Sequence, residues 1–151
     1  MKKIVVFMLT SFLFIFSSVK ADTIKLGILE DETGNFAIAV VPKIHAYELA
    51  VKEINANGGV LGKKLEIVRY DTQSDNRRFQ EFARRLIKKD KVDVVFGAFS
   101  SASRESIRGI MEKNKMLYFY NNQYEGGVCS KTTFMTGACL LYTSDAADDT
   151  P

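Results

Sequence analysis

Hydrophobic and polar positions along the chain change period several times, and each change marks an element. Ile24-Lys25-Leu26-Gly27-Ile28-Leu29 reads as a strand, and the polar stretch Glu30–Asn35 behind it as a loop. Val40, Ile44, Tyr47, Val51 and Ile54 then recur at intervals of three and four, the apolar stripe of a helix, with Pro42 in its first turn and Asn57-Gly58-Gly59 to end it. Leu65–Tyr70 alternates as a second strand, closed by the polar turn Gln73–Asn76. A second helix places Phe79, Phe82, Ala83, Leu86 and Ile87 on one face and ends near Lys89-Asp90. Val94-Val95-Phe96 is nearly continuous in apolar character, which predicts a central strand covered on both faces. After the small-residue loop Gly97–Ser103, a third helix aligns Ile107, Ile110 and Met111. Met116–Tyr120 is then the fourth strand, and Asn121–Gly127 a polar loop.

Short strands alternating with helices predict an α/β fold, a parallel sheet with helices on both faces and right-handed crossovers. In such a sheet, ligands bind beyond the carboxyl ends of the strands at the topological switch point. The loops Glu30–Phe36, Gly97–Ser103 and Tyr120–Glu125 share that edge and become the functional candidates on topology alone.

The first residues change the picture of where this domain works. Met1-Lys2-Lys3, an uncharged run from Ile4 to Phe16, and Val19-Lys20-Ala21 have the order of an export signal cleaved after Ala21, giving residues 1–21 as signal peptide. The apolar run is shorter than a membrane span requires. The net charge of +3 stays +3 for residues 22–138 once the leader lysines and the terminal aspartates are set aside. Its cations are interleaved with Glu and Asp along Lys43–Glu53 and Arg77–Lys91, the look of solvated helix faces and not of a nucleic-acid stripe. Cys129 and Cys139 are expected to remain unpaired.

Ser100, Ser101 and Ser103 offer hydroxyls and the free N–H groups of a helix start, a donor set for a carbonyl or carboxylate oxygen. A helix cap accounts for one of them equally well, Ser101 or Ser103. Asn122 and Gln123 both donate and accept, which suits an amide, and Tyr120 and Tyr124 have the shape to wall off a small pocket; an ordinary polar turn explains the same residues. No enzyme is expected. His45, the sole histidine, lies in a run of charged helix positions, so no nucleophile and base can be assembled. Neither metal-ligand spacing nor a cofactor motif appears, and Gly58-Gly59-Val60-Leu61-Gly62 follows a helix, the wrong context for a phosphate loop.

Certain stretches also match a known family. Ile24-Lys25-Leu26-Gly27-Ile28 with Thr33-Gly34, Glu53-Ile54-Asn55-Ala56-Asn57-Gly58-Gly59-Val60-Leu61-Gly62, Val94-Val95-Phe96-Gly97 with Ser101-Ala102-Ser103-Arg104, and Gln123-Tyr124-Glu125-Gly126 resemble the periplasmic substrate-binding proteins of the branched-chain amino acid class of ABC importers. The Ser-Ala-Ser-Arg and Gln-Tyr-Glu-Gly pieces look like the urea and short-chain amide branch. The resemblance implies the class I periplasmic-binding-protein fold, here an incomplete first lobe over residues 22–138. It also implies a periplasmic address, a permease as partner, and urea or a short amide as ligand. The alternatives are a branched-chain or other neutral amino acid, or an amide-sensing regulator on the same fold. It places Ser101 at the hydroxyl that meets ligand, Tyr120 and Asn122 at contact positions, Phe99 as an aromatic wall and Tyr124 beside them. From Cys139 to Asp149 the chain resembles translated sequencing-library adapter, which makes 139–151 a non-native tail and the chain a fragment expected to bind weakly alone.

Overall fold

A computed structural model describes residues 22–140; the expected signal peptide and all but the first two residues of the expected tail lie outside them. Five strands form one sheet: β1 (Thr23–Glu30), β2 (Lys64–Asp71), β3 (Val94–Gly97), β4 (Leu117–Tyr120) and β5 (Thr133–Met135). Their spatial order is β2-β1-β3-β4-β5 and every pairing is parallel. The chain moves from β1 outward to β2, then back across to β3, so the switch point falls between β1 and β3.

Three helices connect the strands: α1 (Ala37–Ala56), α2 (Asn76–Arg85, continued by a π-helical turn over Leu86–Asp90) and α3 (Ser101–Lys113). Asp75 starts α2 by accepting a hydrogen bond from the Arg77 amide at 2.7 Å. Gly58, at φ +97, follows the last turn of α1, as the Asn-Gly-Gly run predicts. Pro42 lies in the second turn of α1 and not the first, because the helix already begins at Ala37. The helical partner its missing N–H would have served is the carbonyl of Ile38, an exposed residue, where water replaces the bond cheaply.

The core lies on one side of the sheet. Leu29, Val95, Tyr118 and Tyr120 meet Phe79, Ala83 and Leu86 of α2 and Ile107 and Met111 of α3, all buried; Phe82, Ile87 and Ile110 pack around them half-buried. Among the described residues, the other side is covered by α1 alone. Val40 and Ile44 are buried there, but Tyr47 and Val51 are half-buried and Ile54 is exposed. A groove of about 380 Å³ separates the later half of α1 from Ile24, Leu26, Ile28 and Phe96, so the end of the predicted stripe lines an opening. The same geometry corrects the expectation for β3. It is central, but Val94 and Phe96 are only half-buried, and Phe96, Phe119 and Phe134 stack in a row across β3, β4 and β5 with ring centroids 5.2 and 5.3 Å apart.

β5 is the element the periodicity does not predict. It is three residues long and pairs Thr133, Phe134 and Met135 with Tyr118, Phe119 and Tyr120. Beyond it, Tyr124 bridges Cys139 in parallel, its amide bonding to the Ala138 carbonyl at 3.1 Å and its carbonyl receiving the Leu140 amide at 2.9 Å. Both cysteines are free thiols, Cys129 exposed in the loop before β5.

Candidate functional site

β1 and β3 part at their carboxyl ends around a glycine. Gly97 has φ +131, and a Cβ there would lie 2.0 Å from the Leu29 carbonyl oxygen. That oxygen accepts the Ala98 amide at 2.8 Å, and Ala98 itself is left-handed at φ +65. The chain therefore turns off β3 tightly enough to present Phe99, Ser100 and Ser101 at the switch point. Phe99 packs its ring 4.9 Å from that of Phe36, which comes from the loop after β1.

Ser100 caps α3: its hydroxyl accepts the Ser103 amide at 3.1 Å and lies 2.8 Å from the Ser103 hydroxyl. The cap was expected at Ser101 or Ser103. Ser100 has extended backbone and Ser101 is already the first helical residue, so Ser100 takes the role. Ser103 is buried, its hydroxyl turned to Ser100. Ser101, half-buried on the first turn, accepts from the Arg104 guanidinium at 3.3 Å.

The loop after β4 is laced to this one. The Phe99 carbonyl accepts from the Tyr120 hydroxyl at 2.9 Å and from the Asn122 amide nitrogen at 2.5 Å; the Gln123 carbonyl, 3.1 Å from the same hydroxyl, shares its one proton. Tyr120 is fully buried, and burial pushes its phenol above the ordinary range. It is thus a floor beneath the two loops. Arg104 stacks over its ring at 4.9 Å and reaches Glu125 at 3.3 Å, joining the Ser-Ala-Ser-Arg and Gln-Tyr-Glu-Gly stretches directly. The Ser101 hydroxyl, and beyond it Arg104, hold the Glu125 carboxyl below the ordinary carboxylate range. Phe99, Ser100, Ser101 and Asn122 are half-buried along one rim, with Tyr120 and Ser103 beneath it; Tyr124, expected to wall the pocket, is half-buried but packs against the hydrophobic core.

Periodicity misses a second cluster at this rim. Glu30, the last residue of β1, is fully buried; one carboxylate oxygen lies 2.6 Å from the Lys43 ammonium and accepts from the Tyr47 hydroxyl at 3.1 Å, and the other has no partner. Asn121 closes the ring, donating to the Tyr47 hydroxyl at 2.6 Å and accepting from Lys43 at 3.4 Å. Lys43, expected on a solvated helix face, is therefore a buried-pair cation between the loops after β3 and β4. Burial raises the Glu30 carboxyl above the ordinary range, with Lys43 pulling the other way. The thirteen-residue separation of an acid ending a strand and a lysine inside a helix gives no local pattern; only the register of α1 over the sheet brings them together. Among the described residues, no group of three or more His, Cys, Asp or Glu side chains is placed to hold a metal.

The rim thus brings hydroxyl, amide and helix N-terminal donors beside an aromatic face. Known proteins share the fold around it. The family model described as a periplasmic binding protein domain matches residues 24–140. The chain is 38% identical over 96 residues to Leu/Ile/Val-binding protein homolog 7 of Brucella melitensis, covering 64% of this chain and 24% of that protein. Among solved structures it is similar to the branched-chain amino acid transporter substrate binding protein LivJ of Streptococcus pneumoniae in complex with isoleucine. There the TM-score is 0.73 at 26% identity over 78% of this chain and 34% of that one. It shares its fold with a leucine binding protein of Thermotoga maritima, with TM-score 0.72, 22% identity, and 83% and 35% coverage. The chain spans about a quarter of the length of that curated relative and about a third of each structure. It belongs to the periplasmic binding protein family.

Proposed function

We propose that this chain is part of the solute-binding component of an ABC importer, working in the periplasm with a membrane permease, and that its cargo is a neutral, branched-chain amino acid. The observation that carries the reading is the convergence of Ser101, Asn122 and Phe99 beside the N-terminus of α3. A helix N-terminus with a hydroxyl on its first turn suits a carboxylate oxygen without a charged side chain, and an aromatic wall suits an aliphatic body. The Leu/Ile/Val-binding relatives and the isoleucine-bound neighbour support the same cargo.

Urea or a short-chain amide is the second reading, favoured by the Arg104–Glu125 pair that unites the two stretches resembling that branch. Calorimetric titration of the full-length protein with leucine, isoleucine, urea and acetamide separates them. Saturable binding of leucine or isoleucine, weakened roughly tenfold by Ser101→Ala through loss of one hydrogen bond, is expected. Heat from urea or acetamide alone would move the assignment to the second reading, and no response to any of the four would remove both.

A further inference from the structure

The charge of this domain is concentrated on one helix. Residues 76–91 carry seven Lys and Arg against two acids, a net of +5, while the rest of 22–140 sums to −2. All seven cations, Arg77, Arg78, Arg84, Arg85, Lys88, Lys89 and Lys91, are exposed. Of the eleven Lys and Arg elsewhere in 22–140, Lys43, Lys63, Arg69, Arg104 and Arg108 sit in ion pairs, and the three arginines among them each hold two carboxylates, so the contrast with α2 is sharpest for its four arginines. None of the seven forms an ion pair among the described residues; Arg84 donates only to the Gln80 carbonyl, and Arg85 lies over the Tyr70 ring.

Helix electrostatics account for part of this, since cations near the end of α2 meet the negative end of its dipole. They do not account for Arg77 and Arg78 in the first turn, where the dipole disfavours them and no acid is present. The spacing of Arg77, Arg84 and Lys88 and of Arg78, Arg85 and Lys89, seven then four residues, sets two adjacent stripes along the outer side of α2. Beside them, Arg84, Lys88 and Lys113 border a groove of about 420 Å³ between α2 and α3, floored by Gly109 and Ile110. A Cβ at Gly109 would meet nothing within 4 Å, so sterics do not require the glycine that keeps this floor low.

We propose that the α2–α3 face docks on an anionic phospholipid bilayer, its lysines and arginines facing the phosphate headgroups. Protein interfaces are depleted in lysine and built around buried apolar anchors. This face has none: the large exposed hydrophobic residues, Ile38, Leu49, Ile54, Val60, Leu61, Leu117, Phe134 and Leu140, all lie off α2 and α3. Where this chain recognises carboxylates it cross-braces its arginines; the cations of α2 are long, unbraced side chains spread along a helix, which fits a continuous sheet of negative charge better than a few fixed acids. Ser101 and Asn122 are not part of the face, and the inference stands whatever the cargo is.

The test is co-sedimentation of the chain with vesicles of phosphatidylcholine alone and of phosphatidylcholine mixed with phosphatidylglycerol, at low and at physiological salt. Residues 1–21 are common to all forms, so the readout is the ratio of partition coefficients between wild type and variant. Each cation near such a surface contributes about fivefold, so R84Q/K88Q/K113Q is expected to lower partition to the anionic vesicles about a hundredfold. R77Q/R78Q is expected to lower it about 25-fold, while K52Q/K64Q, on α1 and β2, leaves it unchanged. These sites are exposed, and unchanged circular dichroism confirms the fold. Wild-type partition in both α2 variants, an equal effect of K52Q/K64Q, or binding transferred from vesicles to poly-glutamate or to duplex DNA would overturn the proposal.

Discussion

At the scale of single residues, Gly97 is the position where chemistry leaves no choice. Any side chain there would drive its Cβ into the Leu29 carbonyl while holding a φ that only glycine adopts freely. Gly97→Ala is expected to destabilise the fold by about 2–4 kcal/mol, because the tight exit from β3 combines a backbone clash with strain. Urea unfolding followed by circular dichroism measures it; a loss near zero would mean that β1 and β3 separate easily and that the switch-point geometry is not fixed by this residue. Glu30 makes a different prediction, in pH. Burial lifts its carboxyl above the ordinary value of 4.5 despite Lys43, so on acidification the folded state takes up this proton before the unfolded chain does. In the window between the two pKa values stability rises as pH falls, the reverse of an ordinary paired carboxylate. Relative to Glu30→Gln, the wild type should gain stability as pH drops from above the folded pKa to about 4.5, and show no further change below it. Unfolding midpoints of both proteins across that range check the sign; a pH-independent difference would show that the Lys43 pair fully offsets burial.

The three helices and four of the strands were legible because each carries a period long enough to repeat. Phe79, Ala83 and Leu86 turn to the core as their spacing requires, and Ile107 and Met111 do the same on α3. β5 was not legible, since a three-residue strand shows at most one alternation and borrows its order from β4. The rim loops could be chosen from topology, and Phe99, Ser101 and Asn122 do meet there. The roles within the loops could not be read in the same way. Which serine caps α3 depends on where the backbone leaves the extended conformation, and whether Tyr120 lines a pocket or underlies it depends on the packing of Arg104 above its ring. The end of α1 was misjudged for a related reason: a helical stripe states which side is apolar and not how closely that side approaches the sheet.

For the molecule as a whole, the two sides of the sheet differ in a way that predicts behaviour in solution. The side facing α2 and α3 is closed by fully buried aromatic and aliphatic side chains. The side facing α1 leaves the groove beside Ile54 and the row Phe96, Phe119 and Phe134, with Phe134 at 43% exposure on a three-residue edge strand. An edge strand beside an exposed aromatic face is a template for association. Phe134→Thr exchanges one strand-favouring residue for another and removes the last ring of the row, a change that forfeits about 0.5–1.5 kcal/mol of stacking. Phe79→Ala, by contrast, opens the closed side and should cost about 3–5 kcal/mol. Sedimentation velocity of the 22–151 chain over a concentration series is therefore expected to show wild type self-associating and Phe134→Thr shifted towards monomer, with the unfolding midpoint lowered by only a few degrees. Equal association in the two would place the adhesive surface elsewhere, whereas a large loss of stability in Phe134→Thr would mean that the row, exposed as it is, helps to hold β4 and β5 together.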